Sequence, residues 1–381
     1  MAREEMKIPL SRPDITAFER RAVLDVLESP DLSLGPKLGE FEQAMAKYVG
    51  VRHAVAVNSG TSGLHLIVRA LEIGSGDEVI TAPFSFIASA NCIVMEGARP
   101  IFVDIDPETY NLDVNKIERA ITPRTKAILG VDVFGRCADW DAIGAIAHRH
   151  KLAVIEDSCE AIGAEYRGKK AGAFGDAGCF GFYPNKQMTT GEGGMILTDR
   201  DDVAAACRSM RNQGREEGES WLEHLRLGFN YRISDINCAL GLAQLSRLEE
   251  MLARRYAVAD LYRKRLQNVE DVILPPPAKE GCLSWFVFVV RLADRYSQAD
   301  RDRVLQGLRE AGIGCSNYFP PIHLQPFYKE RFGFRRGDLP VTERIADRTL
   351  ALPFFNALTA AQVDEVTNCL ARQIRLLKVS R

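Results

Sequence analysis

Apolar residues between about 50 and 200 recur in short runs, and longer amphipathic stretches separate these runs. Seven runs have the length of a strand: 54–57, 78–82, 100–104, 127–133, 153–156, 178–182 and 194–198. Three of the intervening stretches have the length and periodicity of a helix: 62–71, 86–96 and 140–150. Strands that are apolar throughout and alternate with helices are typical of a mainly parallel sheet covered on both faces. The pattern therefore predicts an α/β fold, in which ligands bind at the carboxyl ends of the strands.

The pattern changes after residue 240. Apolar residues at helical spacing predict one long, charged helix over 244–268, and three consecutive prolines at 275–277 mark a break after it. The remaining segments 284–290, 301–311 and 360–377 are typical of a smaller α+β unit. We therefore expect two domains joined by the long helix. Residues 1–250 would form a large α/β domain with an N-terminal arm, and residues 251–381 a small C-terminal α+β domain.

Composition narrows the class of protein. Of the 381 residues 46% are hydrophobic and 26% are charged, and the 49 basic and 51 acidic residues give a net charge of −2. No run of like charge indicates a nucleic-acid or membrane partner, and no apolar segment approaches the roughly 18 residues of a membrane span. The nine cysteines are scattered without CxxC spacing and the six histidines lie far apart, so we expect reduced thiols, no metal site and a cytoplasmic location.

The first segment with candidate chemistry is Asn-Ser-Gly-Thr-Ser-Gly at 58–63, directly after an apolar run and before a helical pattern. A small, hydroxyl-rich turn at a helix N-terminus presents free N–H groups and the positive end of the helix dipole, as a phosphate requires. An ordinary helix N-cap would have the same pattern, and taken alone the segment favours that simpler interpretation.

The second segment is Ile-Glu-Asp-Ser-Cys-Glu at 155–160, where carboxylates end an apolar strand. A carboxylate in this place can pair with a buried cationic nitrogen through a charge-assisted hydrogen bond, which contributes roughly 1.5–3 kcal/mol. An aspartate that caps the next helix is an equally good interpretation of this segment alone.

The third segment, residues 182–194, places Lys186 after an apolar strand and before a Gly-Glu-Gly-Gly hinge. A lysine with a lowered pKa can form a Schiff base, although a single loop lysine is more often simply solvated. An anion cradle, an acid for a ring nitrogen and a lysine, each after a strand, are together the three anchors of pyridoxal 5′-phosphate (PLP). The combination therefore predicts a PLP enzyme.

With these segments the sequence resembles the DegT/StrS-type sugar aminotransferases, which are PLP enzymes of fold type I. The resemblance covers nearly the whole chain in the order of the family, and its matching segments are 8–13, 34–36, 83–89, the surroundings of Asp157 and Lys186, 211–214, 228–235 and 318–323.

The resemblance implies roles for the cofactor-binding residues. Lys186 would form the Schiff base with PLP, and Asp157 would hold the pyridine nitrogen protonated so that the ring acts as an electron sink. Gly60, Thr61 and Ser62 would bind the phosphate.

Further roles follow from the same resemblance. Phe86 would stack on the cofactor ring, and Glu160 would lie near its O3′ side. Asn230 would reach the phosphate from the other subunit, so the protein would be a homodimer with shared active sites. His323 would approach the substrate.

The sequence departs from the family pattern at two places. Many members carry Ser five residues before the lysine, where this chain has Gly181, and the segment 29–33 lacks a Gly-Trp pair that is common there. A branch of the family that performs dehydration has His in place of the lysine, so the presence of Lys186 argues against that reaction.

The resemblance implies transfer of an amino group from L-glutamate to a keto-sugar, with a nucleotide-linked 4-keto-6-deoxyhexose as the expected acceptor. Amination at C3 and amination of a keto-cyclitol are alternatives within the same chemistry. A PLP-binding regulatory protein without catalysis is the alternative from another class.

Overall fold

The computed structural model describes residues 6–215, 223–278 and 280–379. The described chain forms strands β1 (His53–Val57), β2 (Glu78–Thr81), β3 (Arg99–Phe102), β4 (Thr125–Val131), β5 (Ala153–Asp157), β6 (Glu165–Tyr166), β7 (Lys169–Lys170), β8 (Ala177–Gly181), β9 (Gly194–Thr198), β10 (Val272–Ile273), β11 (Phe288–Leu292) and β12 (Thr349–Leu352). Its helices are α1 (Ala17–Leu27), α2 (Pro36–Val49), α3 (Gly60–Ala70), α4 (Ala88–Met95), α5 (Trp140–His150), α6 (Asp201–Arg211), α7 (Asp235–Ser246), α8 (Leu248–Leu266), α9 (Gln298–Glu310), α10 (Pro326–Phe332), α11 (Pro340–Ala346) and α12 (Ala360–Val379). None of these helices is both long and apolar enough to cross a membrane.

Seven strands form the central sheet in the order β1-β9-β8-β5-β4-β2-β3. The pairs β8–β5, β5–β4, β4–β2 and β2–β3 are parallel, and β9 runs antiparallel to both β1 and β8. Each of the seven predicted apolar runs overlaps one of these strands. The predicted mainly parallel α/β sheet is therefore confirmed.

Helices cover both faces of this sheet. Alternate residues of a strand point to opposite faces, and in β1 the side chains of Val55 and Val57 enter one hydrophobic core while those of Ala54 and Ala56 enter another. Helices α3, α4, α5 and α6 contribute to the first core, and α2, α7 and α8 contribute to the second. The two cores hold the strand ends rigidly, which a site built at these ends requires.

A smaller antiparallel sheet, β10-β11-β12, follows in the sequence, and α8, α9 and α12 enclose its core. Ile8 from the N-terminal segment is buried in this same core, where its amide donates to Gly312 O at 3.1 Å. We propose that the division into two domains lies near residue 250, at the beginning of α8.

The long helix expected over 244–268 was wrong in its first turn. The chain forms α7 and α8 with a break at Arg247, whose φ of −107° and ψ of 4° are not helical. Arg247 ion-pairs with Glu19 at 2.5 Å, and Gln244 donates to the same carboxylate at 3.0 Å. These contacts with the N-terminal segment hold the break, and neither proline nor glycine marks it in the sequence.

Behind the carboxyl ends of β4 and β5, two fully buried carboxyl groups share one hydroxyl. Ser158 Oγ lies 2.7 Å from Asp132 Oδ2 and 2.6 Å from Glu156 Oε1. A hydroxyl has one hydrogen, so both contacts are satisfied only when one of the carboxyl groups carries a proton. Burial raises the pKa of Asp132 to about 6, and burial together with the charge of Asp132 raises the pKa of Glu156.

The shared proton makes stability depend on pH. Because the folded pKa values exceed the ordinary values of 3.8 and 4.5, the stabilisation is complete below about pH 4 and is lost as the pH rises through the folded values.

Asp132→Asn keeps the acceptor oxygen for Ala138 N and Trp140 Nε1 and removes the paired negative charge. We expect this variant to raise the melting temperature at pH 8 by about 2–4 °C and to flatten its fall between pH 5 and pH 8. Thermal unfolding across this pH range measures both, with the exposed Asp31→Asn as control. An unchanged pH slope in Asp132→Asn would contradict the shared proton.

Candidate active site

Three candidate segments meet at one edge of the central sheet. Asp157 is the last residue of β5, and Gly181, the last residue of β8, pairs with Gly194 at the start of β9. Val57, at the end of β1, pairs with the same Gly194. The turn 58–63, the acidic strand end and the lysine loop therefore lie side by side, as the sequence predicts for a ligand site.

The turn after β1 is built to accept an anion. Helix α3 begins at Gly60, and the Ser59 side chain caps it by accepting the amide hydrogen of Ser62 at 3.1 Å. The first amides of a helix have no partner within it, so the N–H groups of Gly60 and Thr61 remain available beside the Ser62 hydroxyl. This arrangement puts the three predicted phosphate-binding residues in one turn.

The side chain of Asp157 is buried and held by two hydrogen bonds. Ser89 Oγ donates to Asp157 Oδ2 at 2.6 Å, and the amide of Cys159 donates to Oδ1 at 3.1 Å. Ser85 Oγ lies 2.8 Å from Ser89 Oγ and extends this chain of hydroxyls. Each carboxylate oxygen has a further lone pair, so Asp157 can still accept a proton-bearing ring nitrogen.

Lys186 extends into the site from the loop between β8 and β9. Its side chain is 13% exposed, and Nζ lies 3.6 Å from Glu160 Oε1 and 3.9 Å from the centre of the Phe286 ring. The carboxylate and the face of the ring both stabilise a positive amine. The predicted Schiff-base lysine is therefore positioned by charge and by packing.

Glu160 is fixed at one oxygen and faces the lysine with the other. The amide of Phe134 donates to Oε2 at 3.0 Å, and Oε1 lies towards Lys186. Burial raises the pKa of Glu160, and the positive charge of Lys186 opposes part of the rise. Glu160 is thus a titratable carboxyl group next to the amine.

Phe86 and Asn230 are both accessible. The Phe86 ring is 60% exposed immediately before α4, close in sequence to the Ser89 hydroxyl that binds Asp157. Asn230 is exposed on a segment attached to the phosphate turn, because Asn58 N donates to Tyr231 O at 2.9 Å. Their predicted contacts, with the cofactor ring and with the other subunit's phosphate, stay predictions.

His323 lies inside the protein. It is fully buried, its Nε2 is 3.0 Å from Glu343 Oε1, and its ring packs against Phe102 and Phe334. The short 3-10 helix Ile322–Leu324 directs the side chain into this cluster. Its burial argues against the expected approach of His323 to the substrate, which remains untested.

A different residue of the same segment reaches the site. The Tyr318 ring packs on Phe286 at 6.4 Å, and its hydroxyl hydrogen-bonds with the Asn185 side chain. Burial and then the charge of Glu160 raise the pKa of Tyr318. Asn185 Oδ1 is buried without a partner among the described residues. Tyr318 and Asn185 therefore form a polar wall beside the lysine, with one acceptor left for a ligand.

Sequence reasoning also missed Arg255. This arginine of α8 is buried, and its guanidinium donates to Lys186 O at 2.9 Å and Phe286 O at 3.1 Å. Burial lowers its pKa to about 10. The sequence contained one indication of this role: Arg255 is a charged residue that lies on the apolar face of a predicted helix, together with Met251 and Leu252.

The residues present fit PLP. At Gly60 an added Cβ would lie 2.8 Å from Cys159 Sγ, and at Gly194 it would lie 2.6 Å from Ser59 O and 2.7 Å from Gly60 N. These glycines let the turn after β1 pack directly against Cys159 and the start of β9. Among the described residues no group of three histidine, cysteine or acidic side chains is arranged to hold a metal ion. A phosphate cradle, an acid and a lysine on a mainly parallel sheet define a PLP-dependent enzyme of fold type I.

Comparison with known proteins identifies the family. The model of the DegT/DnrJ/EryC1/StrS aminotransferase family matches residues 13–371, and the chain belongs to this family. It is 43% identical to GDP-perosamine synthase of Caulobacter vibrioides over 94% of this chain and 96% of that protein.

Two solved structures share the fold. One is Helicobacter pylori PseC, an aminotransferase involved in the biosynthesis of pseudoaminic acid, with a TM-score of 0.92, 28% identity and coverage of 97% of this chain and 99% of that chain. The other is the PLP form of Spr1654 from Streptococcus pneumoniae, with a TM-score of 0.91, 28% identity and coverage of 96% and 98%. The protein is therefore a PLP-dependent aminotransferase, and the predicted enzyme class, cofactor and fold are confirmed.

The Asp157 carboxylate is the expected partner of the protonated ring nitrogen. Asp157→Asn keeps the shape of the side chain and removes its negative charge. The charge-assisted hydrogen bond that is lost contributes roughly 1.5–3 kcal/mol. We expect the rate of the half-reaction with L-glutamate to fall by about 10- to 150-fold. Stopped-flow absorbance of the PLP-loaded protein measures this rate, with the exposed Asp302→Asn as control. A rate equal to that of the wild type would remove Asp157 from the catalytic residues.

Proposed function

We propose that the protein transfers an amino group from L-glutamate to a keto-sugar. The observation that carries this proposal is the buried Lys186 amine, 3.6 Å from Glu160 and on the same strand edge as Asp157. PLP, when bound, supplies an electron sink and carries the amino group as pyridoxamine phosphate between two half-reactions. The rest of the chemistry is proton movement, for which this chain supplies the groups.

Lys186 is the group that moves the proton. With PLP bound, Lys186 Nζ would take the proton from the donor α-carbon as a general base and would then give a proton back. Glu160, held at Oε2 by the Phe134 amide, keeps the amine in place with its other oxygen. Asp157, held by Ser89 and the Cys159 amide, maintains the positive ring nitrogen that draws electrons from the reacting carbon.

The acceptor is a nucleotide-linked 4-keto-6-deoxyhexose in this proposal. The similarity to GDP-perosamine synthase, at 43% identity over nearly the whole chain, supports a sugar acceptor linked to a nucleotide. The polar wall formed by Tyr318 and Asn185 offers a hydroxyl and an unpaired acceptor oxygen for sugar hydroxyl groups. C3 amination and a keto-cyclitol acceptor differ in where these hydroxyl groups lie, so the acceptor itself must be varied to separate them.

A panel of acceptors tests the proposal. Addition of L-glutamate to the PLP-loaded protein should replace the visible band of the lysine-bound cofactor by the near-ultraviolet band of pyridoxamine phosphate. A nucleotide-linked 4-keto-6-deoxyhexose should restore the visible band about 5- to 150-fold faster than a 3-keto isomer or a keto-inositol, because one lost or misplaced hydrogen bond costs about 1–3 kcal/mol.

Variants and outcomes separate the alternatives. Lys186→Ala should show no reaction with glutamate, whereas Lys169→Ala, an exposed lysine on β7, should behave as the wild type. If the visible band returns faster with the 3-keto sugar or the cyclitol, that compound and not the 4-keto sugar would be the acceptor. A bound cofactor whose spectrum does not change with any amino donor would favour the regulatory alternative.

We further propose that the active protein is a homodimer with shared sites. Large apolar side chains are exposed on α1 and the segment after it, notably Phe18, Leu27 and Leu34, each at least half exposed. Tyr183, which precedes Lys186, and Leu227, which precedes Asn230, are also more than half exposed. Apolar side chains exposed in this number near a site favour a protein interface. A second copy would cover them and bring its Asn230 to the phosphate.

Mixing two defective variants tests the shared site. If Asn230 acts across the interface, a heterodimer of Lys186→Ala and Asn230→Ala contains one intact site, and the equilibrated mixture regains about a quarter of wild-type activity. Lys186→Ala alone is inactive and Asn230→Ala alone binds PLP more weakly. The mixture could instead be no more active than the Asn230→Ala protein it contains. Asn230 would then act in the site of its own subunit or in no site.

A further inference from the structure

Two cysteine side chains support the phosphate-binding turn from below. The Cys179 thiol lies 3.5 Å from Gly60 O and its Sγ would be 2.6 Å from a Cβ added at Gly63. The Cys159 thiol hydrogen-bonds with Cys179, and its Sγ would be 2.8 Å from a Cβ added at Gly60. We call Cys159 and Cys179 the thiol pair. The first turn of α3 rests on these two sulfur atoms.

Cys159 also packs against Gly181. A Cβ added at Gly181 would lie 3.3 Å from Cys159 Cβ, closer than an ordinary van der Waals contact, and 3.4 Å from its Sγ. A serine at 181 would therefore require Cys159 to move by a few tenths of an ångström. The glycine at position 181 and the cysteine at position 159 are complementary in volume, so a change at one position affects the packing at the other.

We propose that Cys159 is a positioning residue of the cofactor site: its side chain lies where a Cβ at residue 181 would be crowded, and it holds the Gly60 turn in its phosphate-binding position. The Cys159 amide already donates to Asp157, so one residue supports both ends of the cofactor, the ring nitrogen through its backbone and the phosphate turn through its side chain. A neutral thiol acts here as a small apolar group with a weak donor, which suits packing against backbone atoms.

The chemistry of the thiol pair fits a packing role. The hydrogen bond with Cys179 and then desolvation raise the pKa of Cys159, so the group stays a neutral thiol at physiological pH. A neutral thiol adds no negative charge next to a phosphate dianion, whereas a thiolate would repel it. The proposal rests on the assignment of the phosphate to the Gly60 turn, and it adds no step to the amino transfer.

A double-mutant cycle on cofactor affinity tests the proposal. The dissociation constant of PLP is measured by fluorescence titration of the cofactor-free protein for Cys159→Ala, Gly181→Ser and the double variant. Each single change should weaken binding about tenfold, the first by leaving a gap and the second by crowding. The double variant should return to within about threefold of the wild type, because the serine then has room and fills the gap left by the shorter alanine.

The outcomes are distinguishable. Cys369→Ala, a buried cysteine on α12 far along the chain, serves as control and should leave PLP affinity unchanged. The phosphorus resonance of bound PLP, recorded at saturating cofactor, should shift in Cys159→Ala and not in Cys369→Ala. If the double variant binds as weakly as the product of the two single changes, or if the resonance does not move, Cys159 does not position the phosphate turn. Absence of PLP binding in the wild type would instead overturn the cofactor site itself.

Discussion

The structure depends on keeping two carboxylates and one amine together in a place that excludes most water. Each of Asp157, Glu160 and Lys186 is largely buried, and an unpaired buried charge costs several kcal/mol. The surrounding chain therefore supplies a compensating contact for each group: the Ser89 hydroxyl for Asp157, the Phe134 amide for Glu160, and the Phe286 ring for Lys186. These contacts converge along one end of the sheet, where the ends of β8 and β5 are neighbours and the start of β9 lies between β8 and the end of β1.

Close approach of backbone segments makes this convergence possible. Phe134 has a φ of 56°, a left-handed conformation that aims its amide at Glu160, and the following Gly135 allows the chain to pass against Ser284. A side chain at Gly135 would place its Cβ 1.6 Å from Ser284 O, so the turn and the segment before β11 can meet only with glycine there. The turn after β4 and the segment before β11 thus meet beside Glu160, whose carboxylate is held by a backbone amide.

Sequence patterns were sufficient for the parts of the molecule that depend on local order. Apolar runs located the seven strands of the central sheet, and the three short segments at strand ends located the phosphate turn, Asp157 and Lys186. The antiparallel direction of β9 was not predictable, because a strand buried on both faces has the same apolar pattern in either direction. The break at Arg247 and the roles of Ser89, Arg255 and Tyr318 arise from contacts between segments far apart in the chain. His323 is a further example. A sequence motif identified it as a candidate, but only the packing of Phe102 and Phe334 around it determines that its side chain points into the protein.

Arg255 connects the two halves of the protein at the point where the chemistry takes place. Its guanidinium joins the carbonyl of Lys186, in the loop of the central sheet, to those of Trp285 and Phe286, which lead into the small sheet. The loop that carries Lys186 and the segment that carries the Phe286 ring are therefore held by a single cation on α8. A displacement of Arg255 would consequently disturb the position of the amine and of the ring together.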